Sequence, residues 1–146
     1  MAEPHDDFRA EYLYLQGVHE DYDKRALSLK GLATPLLGAG LAVGLKDGSN
    51  GLLIATIAVA IALWILETIW KTFQYCHTDR LIHLEAIFDG KRQGQEGPPF
   101  QIFGSWGSVW RRHYRSPLSW PRIMVQPFVA LPYVVIVIFG LVAVSA

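Results

Sequence analysis

The sequence predicts an all-α integral membrane protein with three transmembrane helices, the first two forming a long antiparallel hairpin that extends into the cytoplasm. Three observations carry this expectation. Residues 51–70, GLLIATIAVAIALWILETIW, run for twenty positions with one ionisable side chain, Glu67, and about 20 apolar residues cross a hydrocarbon core of about 30 Å. Apolar residues before position 31 and after position 70 recur in steps of three and four, the period of a helix with one buried seam. Lysine and arginine crowd one side of the apolar runs, the pattern of a multi-pass chain.

From the N-terminus, residues 6–30 read as an amphipathic cytoplasmic helix. Its seam is Phe8, Tyr12, Leu15, His19, Tyr22, Ala26 and Leu29, with Glu11, Glu20, Asp21, Asp23, Lys24 and Arg25 expected on solvated faces. No breaker separates it from span 1, residues 31–45, before Pro35, where a continuous rod would kink. The turn LKDGSN leads into span 2, residues 51–70. Its cytoplasmic extension, residues 71–88, carries the stripe His77, Leu81, Leu84 and Phe88 and stops at Asp89-Gly90, a helix-ending pair. With the turn centred near Gly48, facing residue numbers sum to twice 48, or 96. That register sets His19 opposite His77, Leu15 opposite Leu81, Tyr12 opposite Leu84 and Phe8 opposite Phe88.

Residues 89–108 are rich in glycine and hold two prolines, which predicts a loop. Residues 106–122, WGSVWRRHYRSPLSWPR, interleave aromatics with arginines, the composition of a segment lying on a membrane interface. Residues 123–146 form the predicted span 3, with Gln126, Pro127 and Pro132 in its first third. Each proline frees a backbone carbonyl that needs a partner from a neighbouring helix, so a kink packed against protein is expected there.

Thirteen Lys and Arg balance thirteen Asp and Glu. Four basic residues precede span 1, Lys46 sits in the turn, and eight lie between spans 2 and 3. This asymmetry predicts a cytoplasmic N-terminus and a C-terminus on the far side. The acidic start MAEPHDDFRAEY lacks the apolar run of a signal peptide, so span 1 is expected to direct insertion. With about half of the 146 residues in spans, no separate catalytic domain is expected. Cys76 is the only cysteine, which excludes thiol-pair chemistry within the chain. GSNG and GSWGS match neither a phosphate loop nor a nucleophile elbow. Zero net charge disfavours nucleic acid. The chain is therefore expected not to be an enzyme, and no cofactor is expected.

Glu67 is the sharpest local signal, because an acidic group within a span is costly unless paired. An intramembrane ion pair of Glu67 with Lys30 or Lys71 is expected, since Lys71 is one turn away and the hairpin register brings Lys30 opposite. Gly40 and Gly44 form a GxxxG, and Ala58 with Ala62 a small-xxx-small pair, both of which allow helices to approach closely in lipid. Together with the seam residues Phe8, Tyr12, Leu15 and Tyr22, these are the candidate helix-packing and oligomer contacts. His19, Cys76, His77 and His83 lack tight metal-ligand spacing, so no metal is expected and they read as polar seam residues. Trp106, Trp110, Arg111, Arg112, Arg115 and Trp120 are the candidate contacts to lipid headgroups.

The segment YDKRALSLKGLATPLLGAGLAVG, with the tight turn, second span and cytoplasmic helix that follow, resembles small bacterial membrane proteins of the SLATT-like effector class. The resemblance is architectural and covers roughly residues 21–88; span 3, the Trp/Arg segment and the Gly/Pro loop depart from it. It implies the bacterial inner membrane and a pore- or channel-type effector. The functional expectation is a non-enzymatic homo-oligomeric inner-membrane protein of that type, whose partners are membrane lipids and copies of itself. The alternative is an accessory or scaffolding subunit of a larger membrane complex.

Overall fold

The computed structural model describes residues 4–91 and 97–145, which form helices and connecting turns without strands. Helix α1, Pro4–Lys46, and helix α2, Asn50–Phe88, have 43 and 39 residues, so each is roughly 60 Å long. They pair as an antiparallel hairpin. α1 continues through Pro35 without a break. Gly48 takes the left-handed φ of 61° that the tight turn requires, and the Ser49 hydroxyl caps α2 by accepting from the Leu52 amide. At the far end, Asp89 caps α2 and Gly90 turns away with φ 71°.

The register runs close to the predicted sum of 96, but in the polar half His77 meets the ring of Tyr22 and Phe88 that of Tyr12, one helical turn from the predicted His19 and Phe8. Gly40 faces Thr56, Lys30 faces Glu67, Asp23 faces Lys71, Tyr22 faces His77 and Tyr12 reaches Glu85, pairs whose numbers sum to between 94 and 99. Both long helices are apolar and long enough to cross a membrane. Their outer surface in the apolar half is itself apolar: Leu32, Leu36, Ile54, Val59 and Ile65 all point outward.

The chain then returns along the hairpin in four pieces: α3, Ile102–Arg115; α4, Ser119–Met124; α5, Pro127–Ala130; and α6, Tyr133–Ser145. α3 packs on the polar half of α2. There Ile102 joins the core of Phe8, Leu15 and Leu84, and Trp106 and Trp110 lie against Phe73. α6 packs on the apolar half, where Tyr133 and Ile136 join Leu37 and Ala60. Two small cores thus sit at the two ends, each with three helices around it.

Two expectations of secondary structure need correction. The loop predicted for 89–108 gives way to helix from Ile102, because Ile102, Trp106 and Val109 gain packing on α2 that outweighs Gly104 and Gly107; residues 92–96 lie outside the described residues. The segment 106–122, expected at a membrane interface, packs beside α2 as the end of α3 and is interrupted at Pro117, with Ser116 extended before it. The helix predicted over residues 123–146 is divided, since α6 has 13 residues, about 20 Å of helix, and Pro127 and Pro132 separate it from α4.

Candidate functional site

The polar and apolar halves of the hairpin meet at a belt of charge. Lys30 Nζ lies 2.7 Å from Glu67 Oε1, with the Glu67 side chain 4% exposed. The same ammonium donates to the Phe128 carbonyl. In an uninterrupted helix that carbonyl would accept from residue 132, but Pro132 has no N–H. Lys30 therefore serves both the carboxylate and the backbone break. The neighbouring break is served likewise: the Trp64 indole donates to the Met124 carbonyl at 3.0 Å, and Tyr75 donates to the Gln126 side chain at 2.9 Å. The Tyr133 hydroxyl and the remaining oxygen of Glu67 are both buried without a hydrogen-bond partner among the described residues.

Lys71 departs from the expected pairing with Glu67. It turns down the hairpin to Asp23 at 2.8 Å and lies over the Phe128 ring at 4.8 Å. Asp23 lies across from Lys71 in the same register and takes its ammonium, while Lys30 reaches Glu67 from the facing helix. Asp23, Lys30, Glu67, Lys71 and Phe128 line a concavity of about 330 Å³.

A second buried pair closes the polar half. Arg80 grips Glu11 through two bonds of 2.8 Å, with Glu11 wholly buried. Glu11 also accepts from the Phe100 amide at 2.8 Å, and Arg80 reaches the Pro98 carbonyl. Phe100 holds φ 60° there. Glu11 was expected on a solvated face, because periodicity places it beside the seam but not under the returning chain. Its burial is created by residues 98–102, far away in sequence, and no local signal identifies it.

Between the two pairs lies a polar seam. The Gln74 amide donates to the His19 carbonyl at 2.9 Å, and the Tyr22 and His77 rings lie 6.2 Å apart. Both histidines sit outside the apolar spans, and burial holds their pKa values below the ordinary one. Cys76 is wholly buried and its thiol is pushed up to about 11 by burial first and Asp79 second, so it packs as a small apolar side chain. The described residues contain no group of three or more His, Cys, Asp or Glu arranged to hold a metal. The buried threonines of α2 are satisfied locally: Thr56, Thr68 and Thr72 each donate to the carbonyl four residues back.

The predicted packing residues divide by role. A methyl group on Gly40 would meet Thr56 Oγ1 at 2.6 Å, and one on Gly44 would meet Leu53 at 2.7 Å. Both glycines therefore serve helix packing inside one hairpin, as do Phe8, Tyr12, Leu15 and Tyr22. Ala58 and Ala62 point outward. Gly140, which spacing did not single out, lets α6 approach Ile57, where a methyl would meet side-chain carbon at 2.7 Å.

On α3, Phe103, Trp106, Trp110 and Tyr114 form a ladder of rings 5.8 to 6.3 Å apart. Trp120 closes on Trp110 at 5.9 Å. The tryptophans expected at lipid headgroups are thus partly engaged with Phe73 and one another. Arg111, Arg112 and Arg115 project to the exposed side, where Arg112 reaches Asp79 at 3.1 Å. Comparison of the chain with family models, with curated proteins and with solved structures gives no match.

Proposed function

We propose that this chain is a non-enzymatic membrane subunit that acts by assembly with other membrane proteins. In this proposal its hairpin crosses the bacterial inner membrane, with the N-terminus cytoplasmic and the C-terminus periplasmic. The observation that supports the membrane placement is the outward apolar surface of the hairpin's apolar half, where Leu32, Leu36, Ile54, Val59 and Ile65 are exposed together, since contiguous exposed apolar surface marks membrane or protein contact. Assembly as a subunit is supported by how the chain spends its polar groups. Lys30 with Glu67 and Arg80 with Glu11 pair across the hairpin and hold the fold together.

An apolar groove of about 460 Å³ lies between α1 and α2 on the side away from α6, lined by Leu29, Leu36, Gly40, Leu52, Val59 and Leu63 among others. A transmembrane helix of a partner protein is the occupant that suits it, because close side-chain packing is what drives helix association in lipid. The homo-oligomeric pore is the second reading. Ala58 and Ala62 favour it, as an outward small-residue pair free for a copy of the chain, and the SLATT-like architecture points the same way.

The test is the native mass of the full chain extracted gently from its own membranes, with every co-purifying chain identified. Stoichiometric larger partners support the subunit proposal. A single species at an integer multiple of 16.4 kDa overturns it in favour of the homo-oligomer, and liposome flux then decides whether that oligomer conducts.

A further inference from the structure

We infer that the arginine face of α3 binds the phosphate of an anionic phospholipid headgroup. Residues 97–146 contain four Arg and no Asp or Glu, so positive charge in this part of the chain must be met from elsewhere. Arg111, Arg112 and Arg115 converge with Ser108 and Ser116 on one concavity of about 590 Å³. Positions 111, 112 and 115 fall on one side of a helix, because residues three and four apart are neighbours.

Arg112 is met by Asp79, whereas Arg111 and Arg115 have no acidic partner among the described residues. Two guanidinium groups are therefore left with their planar forks open, and that fork matches phosphate oxygens through paired hydrogen bonds. The helix macrodipole favours a cation anywhere in the last turn of α3. It does not by itself gather three arginines and two serines around a single hollow.

Depth selects the lipid over a free anion. Trp110 packs on Trp120 of α4, and α4 ends at Met124, whose carbonyl takes the Trp64 indole. Trp64 is one turn from Glu67, so α4 ties the C-terminal end of α3 to the level at which the apolar surface stops. Stacked tryptophans beside arginines at that level match the headgroup region. The inference rests on the membrane placement proposed above.

The experiment uses the full chain. Incorporation into phosphatidylcholine nanodiscs tests the membrane placement separately; a chain that stays soluble and does not incorporate overturns that placement. Lipid binding is then measured by native mass spectrometry of the detergent-solubilised chain titrated with phosphatidylglycerol or phosphatidylcholine. Phosphatidylglycerol should be retained roughly tenfold better, and the double variant Arg111→Gln, Arg115→Gln should lose that preference while keeping its helical circular dichroism. Equal retention of the two lipids by the unaltered chain overturns the inference without reference to any variant. An undiminished preference in a folded double variant overturns it as well. Full displacement of the lipid by millimolar inorganic phosphate would make this a free-anion site and overturn the lipid assignment.

Discussion

Lys30 of α1 reaches Glu67 of α2 at 2.7 Å and, with the same ammonium, bonds the Phe128 carbonyl that Pro132 leaves without a helical donor. One side chain thereby joins all three layers of the apolar half. Lys30→Met should leave a buried carboxylate unpaired and destabilise the fold by about 3 to 5 kcal/mol. The double variant Lys30→Met, Glu67→Leu should recover most of that loss but not the roughly 1 to 3 kcal/mol owed to the orphaned carbonyl. Chemical unfolding in detergent measures both, and equal stability of the single variant and the parent chain would refute the dual role.

Glu11 and Arg80 hold the returning chain to the polar half. Replacing Arg80 with Met removes both bonds to Glu11 and leaves that carboxylate buried, again at about 3 to 5 kcal/mol. The segment around Phe100 should loosen first, since its left-handed backbone persists only while Glu11 accepts its amide. Faster amide exchange at residues 100–102 in Arg80→Met, ahead of any change at Gly40 or Gly44, is the expected result.

Gly40 and Gly44 differ from Ala58 and Ala62 in what a larger side chain would strike. Gly40→Leu or Gly44→Leu should drive α1 and α2 apart and cost about 1 to 3 kcal/mol or more through overpacking. Ala58→Leu with Ala62→Leu should leave the hairpin's stability unchanged and alter the native mass only where copies of the chain associate. Thermal unfolding and native mass, read on the same three variants, separate the two effects.

The polar seam carries a pH dependence. Burial lowers the pKa of His19 below 6.5, with Asp23 and Glu20 opposing and Lys71 adding to the shift; burial and then His19 lower that of His77. A histidine held neutral in the fold binds its proton more readily once unfolded. Its contribution is therefore present above its ordinary pKa and is lost as pH falls below it. Amide protection along residues 15–23 and 72–80, taken relative to the intrinsic base-catalysed exchange rate, should fall as pH drops from about 7.5 to 5.5, and His19→Asn with His77→Asn should remove the change.

The hairpin was legible in the sequence because two periodic stripes and a central Asp-Gly turn constrain the same register independently. Lys30 opposite Glu67 follows from that register, and so does Gly40 against the second helix. The breaks near Pro127 and Pro132 were equally plain, since proline acts through its own missing N–H. Glu11 was illegible: it stands next to a heptad seam among other charged residues, and nothing nearby distinguishes it from Glu20, which remains exposed.

What the sequence by itself determined was therefore local and periodic: two long helices, their pairing, the turn between them and the places where the third layer must break. Tertiary structure alone decided how those breaks are satisfied, that Lys71 turns to Asp23, that the Gly-containing segment after residue 101 becomes helical on α2, and that Glu11 is buried with Arg80. These depend on contacts between residues 18 to 98 positions apart. Helical period encodes which face of one element is apolar, but it carries no record of what a distant segment will lay across that face.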